Sequence, residues 1–114
     1  MLHLTPEILE SCYELLRTTP PFRGWKLPHA DDVKFVVSRN RDTCAHCEPG
    51  TNFTLTVSQH LHSQLCTLLV TLAHEMIHIH EYMIGVRGDI QHGADFKRLA
   101  KQVCRYHGFD SKAF

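Results

Sequence analysis

The sequence predicts a small α+β domain, with an N-terminal helix, a short two- or three-stranded antiparallel sheet, a long buried helix and a C-terminal helix. Three observations carry that prediction. The 114 residues suffice for one modest core and not for two, so residues 1–114 read as a single domain. Helical and alternating hydrophobic periods follow one another in the order helix, strands, helix, helix, with no internal repeat or linker. Finally, the apolar run Leu65 to Ala73 leads straight into the charged string His74-Glu75-Met76-Ile77-His78, as a buried helix carrying a functional site would.

Thr5-Pro6-Glu7 opens the first helix with a hydroxyl cap, a proline in the first turn and an acid near the positive end of the dipole. Ile8, Leu9, Cys12, Leu15 and Leu16 recur at helical spacing to about Arg17, and Thr18-Thr19-Pro20-Pro21 ends the element. Residues 22–32 form a connector anchored by Trp25 and Leu27. Val33 to Ser38 is rich in β-formers, and Phe53 to Val57 alternates apolar and polar positions. Together they predict a hairpin whose long tip holds Cys44-Ala45-His46-Cys47 and the turn residues Pro49-Gly50. The long helix runs from about His62 to Met83 and is ended by Gly85 and Gly88. Residues 93–107 form the last helix, with Phe96, Leu99, Ala100, Val103 and His107 on one face.

Charge and composition narrow the function classes. Twelve basic and twelve acidic side chains leave no net field to draw the chain to nucleic acid or membranes. The start lacks the basic and apolar regions of a signal peptide, and Thr67 and Thr71 interrupt the one long apolar run. Five cysteines, an odd number, fit reduced thiols and a cytoplasmic setting.

The HExxH string carries the chemistry. Imidazoles at i and i+4 of a helix stack on one face, so His74 and His78 can bind one metal ion. Glu75, beside the first of them, is placed to act as the general base. A catalytic zinc takes three protein ligands, so one is still missing. Glu81 is roughly 10 Å along the helix axis from His74, too far to complete the set. Ile84 stands where a metzincin would have its third histidine, which excludes that class. His92, in phase with Phe96 and Leu99 at the start of the last helix, is the best candidate, and Asp89 and Asp95 are alternatives.

The run Thr71 to His78, followed by His92-Gly93-Ala94-Asp95-Phe96, resembles the SprT-like metalloprotease family, which pairs HExxH with a later His-Gly-x-x-Phe element. The first helix, Trp25-Lys26-Leu27-Pro28 and the segment from Gly50 to Ser58 match the family's layout upstream. The resemblance implies a zincin-like fold with one zinc ion on His74, His78 and His92, and Glu75 as catalytic base. It further implies hydrolysis of peptide bonds in protein substrates, including proteins held on DNA. The cysteine-rich module or partner-binding tail of many members has no counterpart in these residues, so the resemblance covers a catalytic domain alone.

The basic stripe Lys97, Lys101 and Arg105 is the candidate DNA contact, in a stretch with five basic residues and one acid between 96 and 112. The alternative reading is a non-catalytic, zinc-stabilised nucleic-acid-binding module. Glu75 argues against it, because a purely structural site needs no base beside its first ligand. Phe53 to Val57 is the candidate strand for pairing with extended substrate. Tyr82, His80 and Arg87 are conceivable oxyanion donors, although His80 lies on the opposite side of the helix from the motif and reads as a surface residue. Cys44 and Cys47 lack the second ligand pair of a structural zinc site and read as loop thiols, and His60 and His62 as surface or capping residues.

Overall fold

The structure is a computed structural model that describes residues 3–60, 64–85 and 92–114. Its elements are α1 (Pro6–Arg17), β1 (Val33–Ser38), β2 (Ala45–Glu48), β3 (Phe53–Ser58), α2 (Leu65–Met83) and α3 (Ala94–His107), with 3₁₀ turns at Phe22–Trp25, Ala30–Asp32 and Ser111–Ala113. The α+β class and the order of the helices agree with the sequence reading. The strand pairing does not.

Thr5 caps α1 as its position requires, its hydroxyl oxygen accepting from the Ile8 amide at 3.2 Å. The buried stripe is Leu9, Cys12, Tyr13 and Leu16, whereas Leu15 is exposed. Tyr13 is enclosed because its hydroxyl finds a partner, donating to the Pro28 carbonyl at 2.5 Å. Glu14 ties the helix to the connector, accepting from Arg17 Nε at 2.9 Å and from the Ala30 amide at 2.8 Å. Arg17 and, secondarily, the Ala30 amide hold its carboxyl below the usual glutamate range. Leu27 is buried, and Trp25 packs edge-on against Phe22 and stacks on His80 at 4.5 Å between centroids.

The sheet is mixed, in the order β1-β3-β2. β1 pairs with β3 in parallel, Val33 opposite Phe53 through Ser38 opposite Ser58, and β2 pairs with β3 antiparallel. The expected hairpin of β1 and β3 is therefore incorrect. Residues 39–52 hold a strand of their own, in which half-buried Ala45 and Cys47 alternate with exposed His46 and Glu48. An Asn40 turn leads out of β1, its Oδ1 accepting from the Asp42 amide at 2.8 Å. Gly50 tightens the β2–β3 turn, where an added Cβ would come within 3.2 Å of the Asn52 carbonyl.

β3 occupies the centre of the sheet, with Leu55 and Val57 wholly buried. Leu68, Leu72, Ala73, Met76, Ile77 and Ile79 of α2 complete the core with Phe96, Leu99, Ala100 and Val103 of α3. The first turn of α2 is less enclosed than its apolar run implies, since Leu65, Cys66 and Thr67 are exposed. Gly85, at φ 90°, follows the last turn as expected. The expected start near His62 and the expected stop at Gly88 lie outside the described residues. Among the described residues, no helix is long and apolar enough to cross a membrane.

Candidate metal centre

Apolar side chains on either side of the HExxH string anchor α2 in the core, so its two histidines are presented by a rigid element. His74 and His78 are half-buried, with ring centroids 5.0 Å apart, as one helical turn requires. His92 reaches them from the turn before α3 rather than from the helix itself. Its backbone is left-handed, at φ 59°, while Gly93 is extended at φ −74° and serves as the α3 N-cap. The left-handed conformation belongs to the histidine and not to the glycine that follows it.

All three rings point Nε2 at one spot. His92 Nε2 lies 3.0 Å from His74 Nε2 and 3.1 Å from His78 Nε2, and the three residues each bring a ligand atom within 4.8 Å of the others. Each Nε2 carries either one hydrogen or one lone pair, so His92 can form a well-directed hydrogen bond along one of those contacts and leaves the other unmatched. One cation between the three nitrogens satisfies all of them. Tetrahedral zinc, with its nitrogens at 2.0–2.1 Å, spaces them about 3.3 Å apart, within a few tenths of an ångström of the spacing here. The triad thus fits a metal ion.

Aromatic rings hold the imidazoles in place. Phe96, buried in the first turns of α3, lies 4.9, 4.8 and 4.5 Å from the centroids of His74, His78 and His92. Phe114 stacks on His74 at 5.8 Å. Burial, followed by the neighbouring imidazoles, pushes His74 and His78 down to about 4, so both are neutral at physiological pH with lone pairs available.

Glu75 faces the sheet side of α2. It is 7 % exposed, and burial raises its carboxyl to about 7, against smaller lowering effects from His46 and Cys47 of β2. Cys47 packs at the same place, its thiol 3.9 Å from the Glu75 carbonyl oxygen. Burial, then the Glu75 charge, pushes the Cys47 thiol up to about 12, so it stays protonated and can donate. A carboxyl near 7 is poised to exchange a proton at neutral pH.

The remaining candidates divide clearly. Asp95 is exposed in the first turn of α3, 3.7 Å from Arg98, and does not join the imidazole cluster. Asp89, Arg87 and His62 lie outside the described residues. His80 faces away from the cluster as expected, but it is half-buried against Trp25 and is not a surface residue. Tyr82 is exposed and packs edge-on against Phe53. His60 is exposed.

Cys47 lies within β2, which packs against α2, so the loop reading is corrected for Cys47; Cys44 directly precedes the strand, its thiol 3.9 Å from the Thr71 hydroxyl. β3 is not available to substrate, because both of its edges are paired; β2 is the outer strand on that side. Lys97, Lys101 and Arg105 are all exposed on α3. A groove of about 600 Å³ beside them is lined by Arg98, Lys101 and Arg105 together with Pro20, Pro21 and Tyr106, and Lys97 is not part of it. Sequence reasoning missed Phe96 as the support of all three rings and Cys47 as a neighbour of Glu75. The Phe96 signal was present in its four-residue spacing from His92; nothing in the sequence pointed to Cys47.

No curated protein matches the chain as a relative. The SprT-like family model does, over residues 11–113, and that span takes in the second half of α1, the three strands, the HExxH helix and the His92-to-Phe96 segment. That family is one of metalloprotease-like domains, the histidine triad here could hold a metal ion, and the chain belongs to the SprT-like family.

Proposed function

We propose that the chain is a zinc-dependent endopeptidase with a zincin-like catalytic arrangement. The observation that carries this reading is the convergence of three Nε2 atoms beside a buried glutamate on the same helix. His74, His78 and His92 would hold one zinc ion, whose bound form supplies Lewis acidity and lowers the pKa of a coordinated water. Glu75 accepts a proton as the peptide carbonyl is attacked and returns it to the leaving amine. Burial keeps its carboxyl near neutrality, which suits both transfers. β2, the outer strand next to Glu75 among the described residues, offers its outer edge to an extended substrate backbone.

The substrates are proteins, including those held on DNA. Arg98, Lys101 and Arg105 line a groove into which phosphates fit, with exposed Tyr106 available to stack on a base. That groove also supports the second reading, a non-catalytic zinc-stabilised module that binds nucleic acid. The deciding experiment is cleavage of casein by zinc-loaded wild type and Glu75→Gln, with and without single-stranded DNA. We expect cleavage that disappears in the variant. Zinc-loaded protein that binds DNA and cleaves nothing would establish the second reading.

A further inference from the structure

Burying a carboxylate is unfavourable unless a partner holds it. Among the described residues, three polar or charged side chains are buried: Ser58, Glu75 and Glu81. Ser58 donates to the Asn40 carbonyl at 2.5 Å, and Glu75 has the role given above. Glu81 is left to explain. It follows His78 by three residues on α2, and its Oε1 lies 3.3 Å from His78 Nδ1. The other nitrogen of that ring, Nε2, is the one that faces His92 at 3.1 Å. The His78 ring therefore bridges a buried carboxylate and the centre of the imidazole cluster.

A neutral imidazole carries one proton, on either nitrogen. With Nδ1–H donated to Glu81, Nε2 keeps a bare lone pair aimed at the cluster; with the proton on Nε2, that nitrogen cannot bind a cation and Nδ1 would set a lone pair against a carboxylate. We propose that Glu81 is a positioning residue of the metal centre: it accepts a hydrogen bond from His78 Nδ1–H, fixes the tautomer whose Nε2 binds a divalent cation, and places a buried negative charge one ring away from that cation. The inference rests on the reading of the triad as a metal site and is independent of what the site cleaves. Glu81 is too far along the helix to be a ligand itself, yet near enough to orient one.

The test needs no peptidase assay. In chelator-treated wild type, long-range proton–nitrogen correlation spectra should show His78 protonated on Nδ1. Protonation on Nε2 overturns the proposal before any variant is made. Zinc competition against a chromophoric chelator comes next. Glu81→Met, similar in size and without an acceptor oxygen, should bind zinc about 10- to 100-fold more weakly. Glu81→Gln, which retains the acceptor, should recover most of that loss. Visible spectra of the cobalt-substituted proteins should follow the same order, with the methionine variant displaced and the glutamine variant close to wild type. Equal zinc affinity in wild type and Glu81→Met, both folded, also overturns the proposal. A chain that binds zinc in this pattern and cleaves no protein refutes the peptidase reading and leaves Glu81 its role.

Discussion

Replacing His92 by glycine separates strain from ligation. At φ 59°, the histidine holds a Cβ in the left-handed region, at about 1 kcal/mol or more relative to glycine. Glycine relieves that strain, while the greater freedom of the unfolded chain takes back about 0.4–1 kcal/mol. In chelator, His92→Gly is therefore expected to fold within about 1 kcal/mol of wild type. For 114 residues at about 2.1 cal/mol/K of unfolding entropy each, that is about 4 °C in Tm. Zinc is expected to split the two proteins. At 1,000 times Kd, a ligand of the folded state alone adds about 4.1 kcal/mol, or about 17 °C on the same scale. Losing one protein ligand, at about 4 kcal/mol, weakens binding roughly 1,000-fold and leaves about 0.4 kcal/mol, under about 2 °C. Calorimetric melts of both proteins in chelator and in buffered zinc at neutral pH provide the assay. A variant stabilised by zinc as much as wild type removes His92 from the ligand set. A variant that melts far below wild type in chelator refutes the backbone argument.

Other perturbations test separate parts of the structure. Glu75→Gln should bind zinc as wild type does while its casein cleavage falls to background, and retained turnover would remove Glu75 as the base. The same variant probes the raised carboxyl in chelator. A carboxyl lifted from 4.5 to about 7 on folding loses stability as pH rises through that window, so the advantage of glutamine should grow there by up to about 1.4 kcal/mol per pH unit and level off above it. A pH-independent difference in melting would contradict the burial of Glu75. Tyr13→Phe leaves the Pro28 carbonyl without its partner and should lower Tm by about 4–8 °C, or about 1–2 kcal/mol, with zinc affinity unchanged. Charge reversal of Arg98, Lys101 and Arg105 should weaken single-stranded DNA binding and reduce its salt slope by up to about 2, and an unaltered slope would show that the groove makes no phosphate contacts.

What could be read from the sequence was what local periodicity encodes. The caps and stripes of α1 and α3, and the HExxH face of α2, depend on residues within a few positions of one another, and they appear where the pattern puts them. The convergence of His92 with the motif was expected from a helical phase shared with Phe96, but His92 reaches the cluster from a left-handed turn ahead of α3, and it is Phe96 that packs against all three rings. Strand pairing was not legible, because β1 and β3 look alike as hairpin partners or as parallel neighbours until the residues between them are placed. β2 was hidden by its brevity and by the polar side chains of His46 and Glu48, which lie 2.9 Å apart on the exposed face. Glu81 does not join the imidazole cluster, and its contact with His78 depends on side-chain direction, which spacing alone does not give.

The brevity of β2 limits how firmly the domain can grip an extended chain. Only Ala45 to Glu48 form the strand, and in an antiparallel ladder half of their backbone groups already face β3. A guest segment finds only a few hydrogen bonds, each worth about 1 kcal/mol net, so the edge alone gives affinities weaker than about millimolar. Pro49 directly after the strand and the His46–Glu48 pair upon it also make the edge a poor template for another copy of the chain. On the proposed peptidase reading, a segment held so loosely comes from a locally unfolded protein kept nearby by a second attachment, and proximity and disorder in the target outweigh the residues flanking the scissile bond.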